Sequence, residues 1–256
     1  DIEAWADEIK IFMDKVEEFT GNEITAEKLN NAIKLINDKR RALKRLYDLR
    51  KQDNLPISGK DVLVISQIAF YDDPTRFTAM TNKLCDELDK RVENNVSVFP
   101  VGTKRIMLTG TPLAIPNWKL HHIIETSGAA VVVEEMCTGT RYFENLVDET
   151  KNTVEEQIQA LSNRYMGINC ACFTPNEGRI DDILRMAEEY NVDGIIDVNL
   201  KFCSLYDTEG YKVERAIKEA GIPVLGIETD YTDQDAEQLR TRIGAFVEML
   251  GTKQRA

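Results

Sequence analysis

The stretch DGIIDVNLKFCSLYDTEGYKVERAIKEAGIPVLGIETD, residues 193–230, indicates the fold of this chain most clearly. Two short apolar runs, Asp193–Val198 and Pro223–Glu228, are typical of strands that are buried on both faces of a sheet. A helical segment, Gly210–Glu219, lies between them and ends in a tight joint that contains Gly221. A strand, a helix and a second strand in this order predict a right-handed crossover between two parallel strands.

The same alternation extends back to about Lys104. We predict two further strands at Arg105–Thr109 and Ala129–Glu134, and another short strand at Gly167–Cys170. The other helices predicted in this part are Asn117–Thr126, Val154–Tyr165, Ile180–Tyr190 and Asp235–Leu250. The sequence therefore predicts an α/β domain over residues 101–256, with an open, doubly wound parallel sheet of four to five strands.

Residues 1–100 show a different pattern, because their apolar residues recur with the period of a helix. Helix start signals are Thr25, as the N-cap of a helix that continues to about Lys51, and Asp73 followed by Pro74. The predicted helices are Ile2–Phe19, the one that Thr25 begins, Asp61–Phe70 and Pro74–Val92. We therefore predict that a helical region over residues 1–100 precedes the sheet.

The composition argues against binding to nucleic acid or to a membrane. The 256 residues include 32 Lys and Arg against 44 Asp and Glu, a formal net charge of -12. A nucleic-acid surface needs clustered basic residues, and we interpret the basic run from Lys39 to Arg45 as a solvent-exposed helix face. The longest apolar stretches have only the length of a strand, so we expect no membrane-spanning segment.

The start of the chain and its five cysteines bear on its cellular location. The sequence begins at Asp1 without an initiator Met and without a signal segment. We therefore expect it to be a trimmed or excised piece of a longer chain in the cytoplasm. In a reducing compartment, cysteines are more often ligands, nucleophiles or core residues than disulfides.

Four cysteines follow predicted strands directly: Cys137, Cys170, Cys172 and Cys203. Ligands of open α/β sheets bind beyond the carboxyl ends of the strands, so we expect these four thiols to converge as metal ligands. In particular, Cys137 and Cys203 are expected to face each other across one cleft. The fifth cysteine, Cys85, lies on a predicted helix and is interpreted as a packed residue.

The spacing of the cysteines favours an iron–sulfur cluster over the other thiol chemistries. Cys170 and Cys172 are too close in sequence for a standard zinc hook, and the His121–His122 pair is interpreted as facing solvent. No histidine follows position 122 to serve as the base of a catalytic cysteine. Thiols that are scattered singly over several loops suit a cluster, because each iron takes one thiolate.

Two other features complete this prediction. Arg141, shortly after Cys137, is a candidate cofactor-binding residue that would donate to a carboxylate or to a cluster sulfide. The chain contains no Walker-type phosphate loop, so we do not expect it to hydrolyse ATP itself.

Five segments resemble the 2-hydroxyacyl-CoA dehydratase and benzoyl-CoA reductase family. They are KRIMLTGTPL (104–113), EEMCTGTRYF (134–143), DGIIDVNLKFCSLYD (193–207), GIPVLGIETD (221–230) and TRIGAFVEML (241–250). The resemblance runs in order along the chain from about residue 1 to residue 250. It implies an oxygen-sensitive enzyme of two related subunits, which receives low-potential electrons from a separate ATP-hydrolysing activator protein.

The same resemblance implies that Cys137 and Cys203 are cluster ligands, that a further ligand comes from an N-terminal domain, and that this chain is the C-terminal portion of a longer subunit. On this basis we expect the cluster to be incomplete, and the enzyme inactive, in the present chain alone. The segment around Cys170 and Cys172 also resembles a branch of the family that holds a double-cubane cluster and reduces small molecules. The interpretation of the cofactor therefore stays open between a 4Fe-4S cluster and a double-cubane cluster.

Two other classes of function stay open from the sequence. The chain could be a non-catalytic α/β module that binds an acyl-CoA or a partner protein, or a structural zinc domain.

Overall fold

The computed structural model describes residues 1–252 of the chain. Its first part is helical, as the sequence predicts, and the element bounds differ from the predicted ones by a few residues. The elements of this part are α1 (Ile2–Thr20), α2 (Ala26–Asp48), a 3₁₀ turn (Leu49–Lys51), α3 (Gly59–Ile68) and α4 (Pro74–Glu93).

Local sequence signals explain where these helices begin and end. The Thr25 side chain caps α2 by accepting a hydrogen bond from the Lys28 N–H, and Asp73 caps α4 through the Arg76 N–H. Helix α1 ends at Gly21, which adopts a left-handed backbone conformation with a φ of 67°. A residue without a Cβ adopts this conformation at little cost, so glycine is suited to stop a helix there.

The second part, as far as residue 252, contains a sheet of four parallel strands. The strands are β1 (Lys104–Gly110), β2 (Ala129–Glu135), β3 (Gly194–Leu200) and β4 (Val224–Thr229), and their order across the sheet is β2-β1-β3-β4. Strand β1 pairs with both β2 and β3, which places Leu108 opposite Glu134 on one side and opposite Ile196 on the other. The predicted parallel sheet is therefore confirmed, with four strands.

Within the described residues, six helices lie between and after the strands: α5 (Lys119–Thr126), α6 (Thr140–Phe143), α7 (Val154–Met166), α8 (Glu177–Glu189), α9 (Ser204–Glu219) and α10 (Ala236–Thr252). The short helix α6 was not predicted from the sequence. Among the described residues, no helix is long and apolar enough to cross a membrane.

Apolar side chains cover the sheet on both faces. Ile106 and Leu108 belong to a core cluster with α5 and α10. Met107, which lies between them on β1, belongs to a second cluster with residues of α2, α3, α4, α8 and α9. Successive residues of a strand point to opposite faces, so the sheet has helical layers on both sides and the fold is doubly wound.

The helical region over residues 1–100 therefore shares a hydrophobic core with the sheet. The division of the chain into residues 1–100 and 101–256 stays a prediction, and residues 253–256 lie outside the described part of the chain.

The predicted strand at Gly167–Cys170 is wrong. Gly167 and Ile168 donate their N–H groups back to the end of α7, and the Cys170 N–H bonds to the Ile168 carbonyl over 2.9 Å. These backbone groups are used in turns, so they cannot take part in a strand ladder.

Two smaller interpretations of charged residues are also wrong in part. Arg40 is buried within the basic run and donates to Asn37 and to the Tyr165 hydroxyl, each over 3.0 Å. His121 is buried rather than exposed, and its Nε2 lies 3.0 Å from the Glu134 carboxylate. Both side chains offset part of the cost of burial with these hydrogen bonds, although the Arg40 Nε and the His121 Nδ1 have no partner, and apolar periodicity does not reveal such contacts.

Candidate functional site

The candidate site lies at the carboxyl edge of the sheet, where three loops meet. The strand order changes direction between β1 and β3, and ligands of open sheets bind outside the carboxyl ends of the strands at such a point. The Thr111 hydroxyl joins the two strand ends there, because it donates to the Val198 carbonyl over 2.9 Å and accepts from the Leu200 N–H.

The first loop follows β2 and carries Cys137, which is exposed. Gly139 makes this loop tight, because a Cβ at that position would lie 2.2 Å from the Glu134 carbonyl oxygen. The Thr140 hydroxyl donates to the same carbonyl over 3.2 Å. As a result the chain turns directly into α6, and Arg141 reaches back to Cys137.

The second loop connects α7 to α8 and carries Cys170 and Cys172. It does not follow a strand, contrary to the prediction. Helix α8 nevertheless leads into the start of β3, so the beginning of α8 and the loop before it lie at the carboxyl edge. This explains how the loop approaches Cys137 without a strand of its own.

The third loop follows β3 and carries Cys203, which is half-buried and immediately precedes α9. Its carbonyl accepts a hydrogen bond from the Asp207 N–H over 3.0 Å, in the first turn of the helix. Tyr206 belongs to the same turn, and its hydroxyl lies 3.9 Å from the Cys170 Sγ. The geometry thus brings the start of α9 to the other two loops, while a direct approach of Cys203 to Cys137 stays a prediction.

We name one group of side chains the thiol site: Cys137, Cys170, Cys172, Arg141 and Tyr206. Its three thiols influence one another's pKa values. The Cys137 thiol lowers the pKa of Cys170 to about 4. The same contact raises the pKa of Cys137. Burial and the neighbouring Cys170 raise the pKa of Cys172. Such a group carries a thiolate on Cys170 and presents it to its neighbours as a hydrogen-bond acceptor.

Arg141 is the positively charged member of the thiol site. Its Nη1 lies 3.8 Å from the Cys137 Sγ, and its Nη2 donates to the Glu135 carboxylate over 2.6 Å and to the Glu135 carbonyl over 3.1 Å. Burial disfavours the charge of Arg141, but the Glu135 carboxylate outweighs burial and raises the pKa of this residue. These contacts pair Arg141 with a carboxylate of the protein itself, and its role towards a cofactor stays a prediction.

A second buried arginine, Arg179, lies next to the thiol site. It donates to the Thr109 hydroxyl over 3.0 Å and also to the Glu209 carboxylate of α9. Thr109 donates in turn to Glu135 over 2.6 Å, so strands β1 and β2 and helices α8 and α9 share one hydrogen-bond network. Sequence reasoning missed Arg179, Glu135 and Tyr206. For Tyr206 one signal was present, since it lies only three residues after a candidate ligand.

A cavity of 290 Å³ adjoins Tyr206, and no cysteine lines it. Its lining includes four carboxylates and one guanidinium, namely Asp197, Asp207, Glu214, Glu228 and Arg242. This excess of negative charge makes the cavity a poor receptor for a phosphorylated ligand.

The remaining cysteine lies away from this edge. Cys85 is buried on α4 within the core, and burial raises its pKa to about 11. Its interpretation as a packed residue is confirmed.

The donor groups of the site have to be compared with those that a metal requires. Within residues 1–252, no three His, Cys, Asp or Glu side chains are arranged so that they could hold one metal ion. A cluster has a different requirement, because each of its irons takes its own thiolate and the ligand sulfurs need not meet at one point. Three neighbouring thiols with a guanidinium and a phenol as donors fit that second requirement in their chemistry.

Comparison with known proteins gives the class to which this fold and site belong. The family model of the 2-hydroxyglutaryl-CoA dehydratase D-component matches residues 1–250. The chain therefore belongs to this family, as the resemblance of its motifs predicts.

Curated relatives agree with this assignment. The chain is 36% identical over 252 residues to the putative dehydratase subunit YjiM of Escherichia coli, and covers 63% of that protein. It is 28% identical to the (R)-phenyllactyl-CoA dehydratase beta subunit of Clostridium sporogenes, of which it covers 62%. It is also 22% identical to the (R)-2-hydroxyglutaryl-CoA dehydratase subunit beta of Acidaminococcus fermentans, of which it covers 61%. These alignments include 96%, 94% and 92% of the present chain. The chain thus spans less than two thirds of the length of these relatives.

Proposed function

We propose that this chain is part of an acyl-CoA dehydratase subunit and that its thiol site, together with Cys203, supplies thiolates to an iron–sulfur cluster. The observation that carries the proposal is the meeting of Cys137, Cys170 and Arg141 at the carboxyl edge of the sheet. Membership of the D-component family and the beta-subunit names of two relatives support the dehydratase activity.

The residues of the chain would divide the work as follows. Cys137 and Cys203, with Cys170 or Cys172, would each bind one iron through a thiolate. Arg141 would stay charged beside them and would donate to a sulfur atom. The cluster itself, when bound, would accept and return the electron that the reaction needs.

Under this proposal, an activator protein that hydrolyses ATP delivers the electron, and a related subunit completes the enzyme. The substrate is a 2-hydroxyacyl-CoA, which loses water to give an enoyl-CoA. We expect the protein to act in the cytoplasm, where thiols remain reduced.

A second candidate is an ATP-dependent reductase with a double-cubane cluster. The observation that favours it is the position of Cys172 beside Cys170, which adds a thiol to the group around Cys137. The two candidates differ in iron content, because a double cubane holds about twice the iron of one cubane.

The test is an anaerobic assay of the full-length protein, together with its related subunit and its activator, with ATP and a 2-hydroxyacyl-CoA. The proposal predicts ATP-dependent formation of the enoyl-CoA and an iron content of one cubane for each site. ATP-dependent reduction of a small molecule with about twice this iron would favour the second candidate. A colourless protein without iron or sulfide would contradict both and favour a binding module, and bound zinc would favour a structural zinc domain.

A further inference from the structure

Tyr206 occupies a position that the proposed function does not use. Its side chain is 8% exposed, and it lies in the first turn of α9, three residues after Cys203. Its ring is flanked by two buried guanidinium groups, with the Cζ atoms of Arg141 and Arg179 at 5.5 Å and 5.0 Å from the ring centroid. A tyrosine that served only as core packing would need neither of these charges around it.

The direction of the hydrogen bonds at Tyr206 follows from which groups can donate. A guanidinium has donors only, so the phenol oxygen must accept the hydrogen bond that Arg141 Nη1 makes to it. The phenol proton then remains available to another acceptor. The Cys170 Sγ, at 3.9 Å, is such an acceptor, so the donors run from Arg141 through Tyr206 to Cys170.

Arg141 contacts Cys137 as well as Tyr206, because the same Nη1 lies 3.8 Å from the Cys137 Sγ. Each of the two interacting thiols therefore faces one donor of its own, a guanidinium N–H for Cys137 and a phenol O–H for Cys170. The contact between the donors keeps them in fixed positions relative to each other.

We propose that Tyr206 is a positioning residue whose hydroxyl couples Arg141 to Cys170 and so holds the two sulfur donors in place on the thiol site. The inference goes beyond the proposed function and rests on it only where a cluster is concerned. In a loaded protein the same O–H would donate to a ligand sulfur, and hydrogen bonds to the sulfurs are one of the factors that set a cluster's potential.

The informative substitution is Tyr206→Phe, because it removes the hydroxyl and keeps the ring between the two arginines. Tyr211→Phe is the matched control on the same helix, since Tyr211 is 76% exposed. The first experiment uses the reduced, cluster-free protein and measures unfolding in urea for Tyr206→Phe, Cys170→Ala and the double variant.

We expect the two substitutions to be non-additive by at least about twofold in the unfolding equilibrium constant, as for residues in direct contact. The corresponding cycle with Tyr211→Phe should be additive. Additivity in the Tyr206 cycle would overturn the contact itself, whether or not the protein binds a cluster.

The second experiment measures the midpoint potential of the cluster under anaerobic conditions. Tyr206→Phe should keep its iron and shift the potential to a lower value, because a donor to a sulfur is lost, while Tyr211→Phe should match the wild type. An unchanged potential would overturn the role of Tyr206 towards the cluster. If the full-length wild-type protein binds no iron under anaerobic conditions, the proposed function fails and the unfolding cycle still decides the contact.

Discussion

The Nη1 atom of Arg141 lies 3.8 Å from the Sγ atom of Cys137, four residues earlier in the chain. The tight turn at Gly139 brings the two side chains together, and Glu135 holds the guanidinium from the other side. A charged donor is therefore fixed beside a thiol at the edge of the sheet where ligands of such folds bind.

The conformation of the loop after β2 should depend on Gly139. A Cβ at this residue would lie 2.2 Å from a backbone oxygen, which cannot move away as a flexible side chain could. Gly139→Ala should therefore lower the free energy of unfolding by about 1–3 kcal/mol, in the range of other overpacking substitutions.

Gly244 on α10 is the matched control, because a Cβ there meets no atom within 4 Å. Gly244→Ala should leave stability unchanged or raise it by about 0.5–1 kcal/mol, as expected for a helix interior. Chemical unfolding of both variants measures the two changes in the free energy of unfolding. Equal changes would contradict the clash between a Cβ at position 139 and the backbone.

The buried ion pair of Arg50 and Glu134 should be essential for stability. Arg50 donates two hydrogen bonds to this carboxylate, over 3.2 Å and 2.7 Å, and the Arg50 side chain is 0% exposed. Glu134→Gln should lower the free energy of unfolding by about 3–5 kcal/mol, because it leaves a buried charge without compensation.

An exposed ion pair provides the comparison for this substitution. Lys15 and Glu18 form a pair on α1 with both side chains 71% exposed. Glu18→Gln should leave the urea midpoint unchanged, since solvent screens such pairs. A similar loss of stability in Glu134→Gln and Glu18→Gln would contradict the claim that the buried pair matters more than the exposed one.

The free energy of unfolding should decrease as the pH rises between the pKa values of Asp197 in the unfolded and folded states. Burial raises the pKa of Asp197 to about 7 in the folded protein, although Arg179 opposes this effect. In the unfolded chain an aspartate has a pKa of about 3.9. Between these values the folded state binds more protons than the unfolded state, so the free energy of unfolding decreases as the pH rises.

The variant Asp197→Asn cannot titrate, so its free energy of unfolding should lack this decrease. The free energy of unfolding of the variant minus that of the wild type should increase from pH 4 to pH 7 by no more than about 4 kcal/mol and then stay constant. Urea unfolding over this range measures it. A difference that is independent of pH would show that Asp197 has an ordinary pKa.

The thiols should differ sharply in their reaction with an alkylating reagent. Cys85 is 0% exposed and burial raises its pKa to about 11, so it should stay unmodified in the native, cluster-free protein. Cys170 has a pKa lowered to about 4 and is half-buried, so it should be modified fastest, while the exposed Cys137 and Cys172 should react more slowly because their pKa values are raised. Mass spectrometry of peptides after brief alkylation at pH 8 measures this, and rapid modification of Cys85 would contradict the described core.

The sequence predicts the sheet well because its strands are buried on both faces and therefore appear as short apolar runs. Gly194–Leu200, for example, differs from its predicted bounds by only one or two residues. The run at Gly167–Cys170 misled the prediction, because a short segment between two helices can use its backbone groups in turns instead of a ladder.

The candidate site is predictable only in part for a related reason. Cys137 and Cys203 were singled out because they follow strands, and their role as ligands stays a prediction. Tyr206, Arg179 and Glu135 were not found, because buried polar groups that satisfy one another leave no periodic pattern in a single sequence. Their contacts depend on the relative positions of α8, α9 and two strands.

The central claim is that the thiols at the carboxyl edge of the sheet bind an iron–sulfur cluster, and iron and sulfide contents of cysteine variants test it most directly. The full-length protein and its variants Cys137→Ala, Cys203→Ala and Cys85→Ala would be prepared under strict anaerobiosis and assayed for iron and acid-labile sulfide. We predict that Cys137→Ala and Cys203→Ala lose both elements, while Cys85→Ala keeps the wild-type content. Full retention of iron and sulfide by both Cys137→Ala and Cys203→Ala would contradict the account.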